Sequence, residues 1–146
     1  MKHLFTLTAI LLSFSLYGQI SFTNANHRLL GENYHSGVAI GVADMNNDGL
    51  DDIVRLANGR VLNIELQRAG DQQFQNIMVQ QVSGQSQWSL CVADVNNDGF
   101  NEVLCGGAYD GVHFIRALND GAAYAMEELP NSGMFIQGSN LVDINN

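Results

Sequence analysis

Between Val61 and Gln67 apolar and polar residues alternate, which puts Leu62, Ile64 and Leu66 on one side of an extended chain. Short stretches with this two-residue period, or wholly apolar ones of four to seven residues, recur along the sequence. They predict strands over residues 38–43, 53–56, 61–67 and 74–82, then over 88–93, 103–105, 112–117 and 124–129. Turn residues stand between them: Asn58-Gly59, Gly70-Asp71, Asp110-Gly111 and Asn119-Asp120-Gly121. One further strand is predicted over residues 20–26, followed by polar loop to Gly37. No amphipathic helical period appears after the first nineteen residues.

The second group of four strands repeats the first. Residues 88–93 align with 38–43, Asp94 lies 50 residues after Asp44, and 103–105 align with 53–55. A third copy begins at Leu141-Val142-Asp143-Ile144-Asn145-Asn146, which matches Val42-Ala43-Asp44-Met45-Asn46-Asn47. Repeat 1 spans about residues 37–86, repeat 2 about 87–136, and the start of a third about 137–146. Four short strands per unit of about fifty residues describe a β-propeller blade, so the fold class is all-β. Each blade buries a face on its neighbour, and about three or more units are needed for a stable stack. The expectation is a fragment of a larger propeller: two adjacent four-stranded antiparallel sheets rather than a ring.

Between the first and second strand of each unit lies an acidic stretch. The first is Asp44-Met45-Asn46-Asn47-Asp48-Gly49-Leu50-Asp51-Asp52, the second Asp94-Val95-Asn96-Asn97-Asp98-Gly99-Phe100-Asn101-Glu102. Both carry side-chain oxygens at positions 1, 3, 5 and 9, and glycine at position 6, where a sharp turn lets those oxygens converge. Hard divalent cations call for this donor set. Position 7, Leu50 or Phe100, would add its backbone carbonyl. The front half resembles an EF-hand loop, but position 12 is Arg55 or Cys105 instead of glutamate, and strands instead of helices flank it. Asp52 and Glu102 would therefore close the sites. Asp51 and Asp52, adjacent on an extended chain, point to opposite faces and cannot work as an acid–base pair.

Two copies in register, Val42 to Val54 and Val92 to Leu104, carry a resemblance to the FG-GAP / VCBS repeat family, whose blades also build the integrin α-subunit propeller. The likeness covers roughly residues 36–146. It implies a calcium-stabilised propeller used outside the cell for adhesion or recognition. Carried over by position, the ligands are Asp44, Asn46, Asp48, Leu50 (carbonyl) and Asp52, then Asp94, Asn96, Asp98, Phe100 (carbonyl) and Glu102. Calcium is the expected cation and magnesium the less suited one. Glu102 departs from the family's aspartate, so a looser second site is expected. The Phe-Gly and Gly-Ala-Pro signatures are missing, which favours the bacterial VCBS type over integrin-type blades.

Charge sharpens this picture. The net charge is −9, and seven of the fifteen acidic residues lie in the two loops, so the acidity is local. Six scattered Lys and Arg give no basic patch for nucleic acid. Residues 1–19, with Lys2 and a short apolar core, read as a signal peptide cleaved near Gly18/Gln19. Gln19 stands where a lipoprotein needs cysteine, so lipid attachment is excluded and the mature protein is expected to be secreted or held at the cell surface. No membrane span is expected after cleavage. Millimolar extracellular calcium would fill even weak, open loops.

Cys91 and Cys105 sit symmetrically about the second loop. A disulfide and two small buried thiols both remain open, with ladder geometry favouring the thiols. His27, His35 and His113 form no catalytic pattern; His113 reads as a packing residue. Trp88, Tyr109 and Tyr124 could make a sugar-stacking platform, although Trp88 in the place of Val38 reads first as a core residue. The expected function is thus non-catalytic recognition of an extracellular carbohydrate or protein. The alternative is the accessory propeller of a secreted hydrolase or lyase whose catalytic domain lies elsewhere, with further blades or domains in the parent protein.

Overall fold

The structure is a computed structural model that describes residues 20–29, 39–58, 60–130, 133–142 and 144. The expected signal peptide, His35, Val38, Gly59 and Asp143 of the third repeat lie outside the described residues.

Among the described residues, eight strands form two four-stranded antiparallel meanders. The first sheet holds β1 (Ile40–Ala43), β2 (Asp52–Ala57), β3 (Val61–Leu66) and β4 (Gln75–Gln81), in that order. The second holds β5 (Gln87–Ala93), β6 (Glu102–Gly107), β7 (Val112–Leu118) and β8 (Ala123–Leu129). All eight repeat strands fall where the sequence pattern places them. The architecture is that of two propeller blades side by side, without closure.

The expected strand over residues 20–26 is not there. Asn26–Arg28 form a single 3-10 turn instead. Tertiary contacts fix it: Arg28 donates to the carbonyls of Gln72 and Arg68, its own carbonyl accepts from Phe74 N, and its guanidinium lies over the Phe74 ring. The loop before β4 thereby holds the segment through the Arg28 side chain and one backbone bond, and no strand pairing is used.

The pairing register sorts the faces. Val54 lies opposite Ile64 and Leu56 opposite Leu62, so one side of the first sheet is apolar. Val103 opposite Ile115, and Cys105 opposite His113, give the facing side of the second. Val54, Leu56, Leu62, Ile64, Val103, Cys105 and Ile115 are fully buried in one shared core. β1 reaches β5 closely because Gly41 lacks a side chain: a Cβ there would meet Val92 Cγ2 at 2.8 Å and Leu90 Cδ2 at 3.0 Å. His113 is buried in this interface, as a packing residue would be.

The other face of the first sheet is different in kind. Ile53, Arg55, Asn63 and Glu65 share it, and Arg55 pairs with the fully buried Glu65. Burying such a pair draws on desolvation that the mutual attraction must offset. Ile40, Val42 and Met78 on this face are exposed.

Cys91 and Cys105 are free thiols. Cys105 pairs across the ladder with Leu90, and Cys91 with Leu104, so the two sulfurs belong to opposite faces of the sheet. Burial pushes the Cys105 thiol up to about 12, so it stays protonated at neutral pH.

Candidate functional site

Each acidic stretch is the connection between the first two strands of its sheet, from β1 to β2 and from β5 to β6. Antiparallel pairing brings its two ends together: Ala43 opposes Asp52, and Ala93 opposes Glu102. The chain closes tightly because Asn47 and Asn97 take φ of 58° and 59°, and Gly49 and Gly99 take 83° and 92°. Asparagine tolerates the left-handed region, and glycine enters it freely.

Within the first loop the side-chain oxygens turn inward on the backbone. Asp44 accepts from Asp48 N at 3.1 Å and from Gly49 N at 2.7 Å. Asn46 Oδ1 also accepts from Asp48 N at 3.1 Å, so two side-chain oxygens gather at one N–H. Asp48 accepts from Leu50 N at 2.9 Å and from Asn46 Nδ2 at 3.0 Å. The second loop repeats this wrap, with Asp94 on Asp98 N and Gly99 N, Asn96 on Asp98 N, and Asp98 on Phe100 N. These N–H donors hold the Asp94 carboxyl below the usual carboxylate range, Gly99 contributing most. Leu50 and Phe100 follow the glycines and are half-buried.

The ninth positions diverge. Asp52 is fully buried and spans two elements, accepting from Met45 N at 2.8 Å and from Gln67 N at 2.7 Å. Burial raises its pKa, and those two N–H groups pull it back. Glu102, also buried, accepts from Val95 N at 3.1 Å and from Asn96 Nδ2 at 3.3 Å, all within its own loop. Asp51 is exposed, as its opposite facing requires.

A recess of about 450 Å³ lies beside the first loop, bounded by Asp48, Gln67 and Arg68. A smaller one of about 240 Å³ lies beside the second, bounded by Asp98, Phe100 and Asp120. The loops also join the sheets. Asn101 Nδ2 donates to the Asp44 carbonyl at 2.7 Å, and Met45 is fully buried. Gly121 of the second sheet comes so near that a Cβ there would stand 2.9 Å from the Met45 carbonyl.

The donor set of each loop is all oxygen and mostly anionic, which suits a hard cation. Among the described residues, no three Asp, Glu, His or Cys side chains are grouped as a metal would require. The carboxylates engage backbone N–H groups, and each keeps further lone pairs with which an oxygen-seeking cation could be held.

One aromatic cluster differs from the platform the sequence suggests: Phe135 stands with Trp88 and Tyr109 in place of Tyr124. Trp88 is not a core residue; it is 39 % exposed, because the pairing of β5 with β6 shifts between Gln87 and Ser89 and a bulge re-aims it. Its ring meets Phe135, which also meets Tyr109. Tyr124 does not join them. It packs against the shared core with its pKa raised to about 12 by burial.

Residues 44–105 match the family model described as an FG-GAP-like repeat, from the first acidic loop through the second and into β6. Over that segment the resemblance to FG-GAP-like repeats is shown. No curated protein and no solved structure matches the chain.

Proposed function

We propose that the chain is a calcium-binding, non-catalytic repeat module of propeller type that works outside the cell in adhesion or recognition of a carbohydrate or protein. The observation carrying this reading is the duplicated wrap: two loops of unlike spacer sequence gather the same oxygens around the same backbone turn. Asp44, Asn46, Asp48 and Asp52, with the Leu50 carbonyl, would hold the first ion. Asp94, Asn96, Asp98 and Glu102, with the Phe100 carbonyl, would hold the second. When bound, each ion would neutralise a local cluster of carboxylates and stiffen a loop that also touches the neighbouring sheet.

Thermal melting in calcium and in chelator tests this. Calcium should raise the melting temperature, since a ligand that binds only the folded state stabilises it. Asp48→Ala should remove most of the first loop's share. Identical melting curves with and without calcium would defeat the proposal.

A further inference from the structure

At the end of the second sheet remote from its acidic loop stand three exposed aromatic rings. Strands β5 and β6 run between the two ends, so they lie roughly 20 Å apart. Trp88 and Phe135 meet edge to face, with centroids 4.9 Å apart and planes at 78°. Tyr109 and Phe135 lie 5.3 Å apart at 48°. Phe135 is brought there by a bridge to Ala108 and by the bond from Ile136 N to the Gly107 carbonyl at 2.9 Å.

Each of the other two rings is presented by an irregular backbone. Trp88 sits at the bulge. Tyr109 has φ of 55°, a conformation that a bulky side chain rarely adopts. The corresponding turn of the first sheet has φ of 52° at Asn58, a residue that tolerates it. Tyr109 is 69 % exposed, so core burial does not offset the strain. Strain kept for a ring that stays mostly in solvent points to use of the ring itself.

The rim sets the class of ligand. Asp110, next to Tyr109, accepts from the Ser83 hydroxyl and from Gly84 N. An apolar protein surface laid over the rings would strip water from this carboxylate, and a polyanion would be repelled by it. A sugar ring has a C–H face for the aromatics and hydroxyl donors for the carboxylate. We propose that Trp88, Tyr109 and Phe135, with Asp110 at the rim, form a binding site for a neutral carbohydrate. This rests on the recognition reading above and names its ligand class, but does not need the acidic loops to hold calcium.

Trp88 is the sole tryptophan of the chain, so its emission reports on the site directly. The full chain is titrated with cellotetraose, chitotetraose, laminaritetraose and a sulfated glucan, each in calcium and in chelator. A saturable change in Trp88 emission with at least one neutral tetrasaccharide is expected. Tyr109→Asn should weaken that binding about tenfold while melting higher than the parent, because asparagine suits the left-handed backbone. Tyr109→Phe should bind nearly as the parent does. No saturable change with any neutral sugar, a response to the sulfated glucan alone, or a Tyr109→Asn protein that binds normally or melts lower would overturn the assignment. Such a failure leaves any calcium-dependent rise in melting temperature intact. A sugar response without that rise would instead remove only the calcium half of the reading above.

Discussion

The two repeats carry almost the same loop in different surroundings. Met45 in the first loop is fully buried beneath the second sheet, whereas Val95, its counterpart, is 48 % exposed. Asp44 has its carbonyl held by Asn101 of the next repeat. The same contrast runs through the sheets. Cys105 and Ile115 of the second sheet pack into the shared core, while the matching positions on the first sheet hold the Arg55–Glu65 pair. The loop wrap is thus set locally, by Asn, Asp and Gly at fixed spacing. The worth of each residue is set by what the neighbouring repeat places on it.

The largest expected effect breaks the contrast between sheet faces. Arg55→Ala leaves the Glu65 carboxylate buried beside no cation from that position, and should destabilise the fold by about 3–5 kcal/mol. Arg55→Cys together with Glu65→Ile, which copies the second sheet, should come within about 1 kcal/mol of the parent or exceed it. Urea unfolding of the three proteins measures both. A single variant as stable as the parent would mean that the pair is not a structural constraint.

Next comes the ninth position of the loops. Asp52 ties its loop to the end of β3 through Gln67 N, and among the described residues Glu102 ties its loop only to itself. Truncating Asp52 to alanine orphans two backbone donors and should destabilise by about 3 kcal/mol, against about 1 kcal/mol for Glu102→Ala. The comparison should be made in chelator, where only the protein's own bonds are read. Equal losses would show that the span from loop to β3 adds nothing.

Asn101 and Asp51 hold equivalent positions; among the described residues the former bonds to the neighbouring repeat's loop and the latter is exposed. Asn101→Asp puts an acceptor against the Asp44 carbonyl and should destabilise by about 1–2 kcal/mol. Asp51→Asn, on the exposed counterpart, should change stability by less than about 0.5 kcal/mol. Chemical unfolding that ranked them the other way would reverse the assignment of the latch.

The smallest effect concerns pH. The Ser83 hydroxyl, aided by Gly84 N, holds the Asp110 carboxyl below its ordinary value of 3.8. The folded state then favours the ionised form. Its contribution is complete above pH 3.8 and is lost as pH falls through the lower folded value. Ser83→Ala should therefore flatten the acid side of the stability profile slightly below pH 4. An unchanged acid limb would mean that the Ser83–Asp110 bond does not contribute to stability.

Much of this was legible in the sequence. The alternation of Leu62, Ile64 and Leu66, and the Asn and Gly turns, place the strands because a half-buried antiparallel ladder demands both. The double loop was legible for the same local reason. Other features depend on distant contacts that leave no periodic trace. Residues 20–26 look like a strand, but the grip of Gln72, Arg68 and Phe74 on Arg28 decides their neighbour's shape. Trp88 aligns with Val38 and so reads as core, yet the shift opposite Gly107 turns it outward. Phe135 belongs to no repeating pattern, and only the bridge to Ala108 brings it to Tyr109. The backbone bonds of Asp52 were hidden too, because a carboxylate at a ligand position gives no sign that Gln67 N lies within its reach.

On the reading proposed above, both loops should hold calcium. Isothermal titration of the chelator-treated full chain with calcium tests it most directly. Two ions per chain are expected, one in Asp48→Ala, and none when Asp98→Ala is added. No calcium heat in the parent, or an unchanged stoichiometry in the double variant, would contradict it.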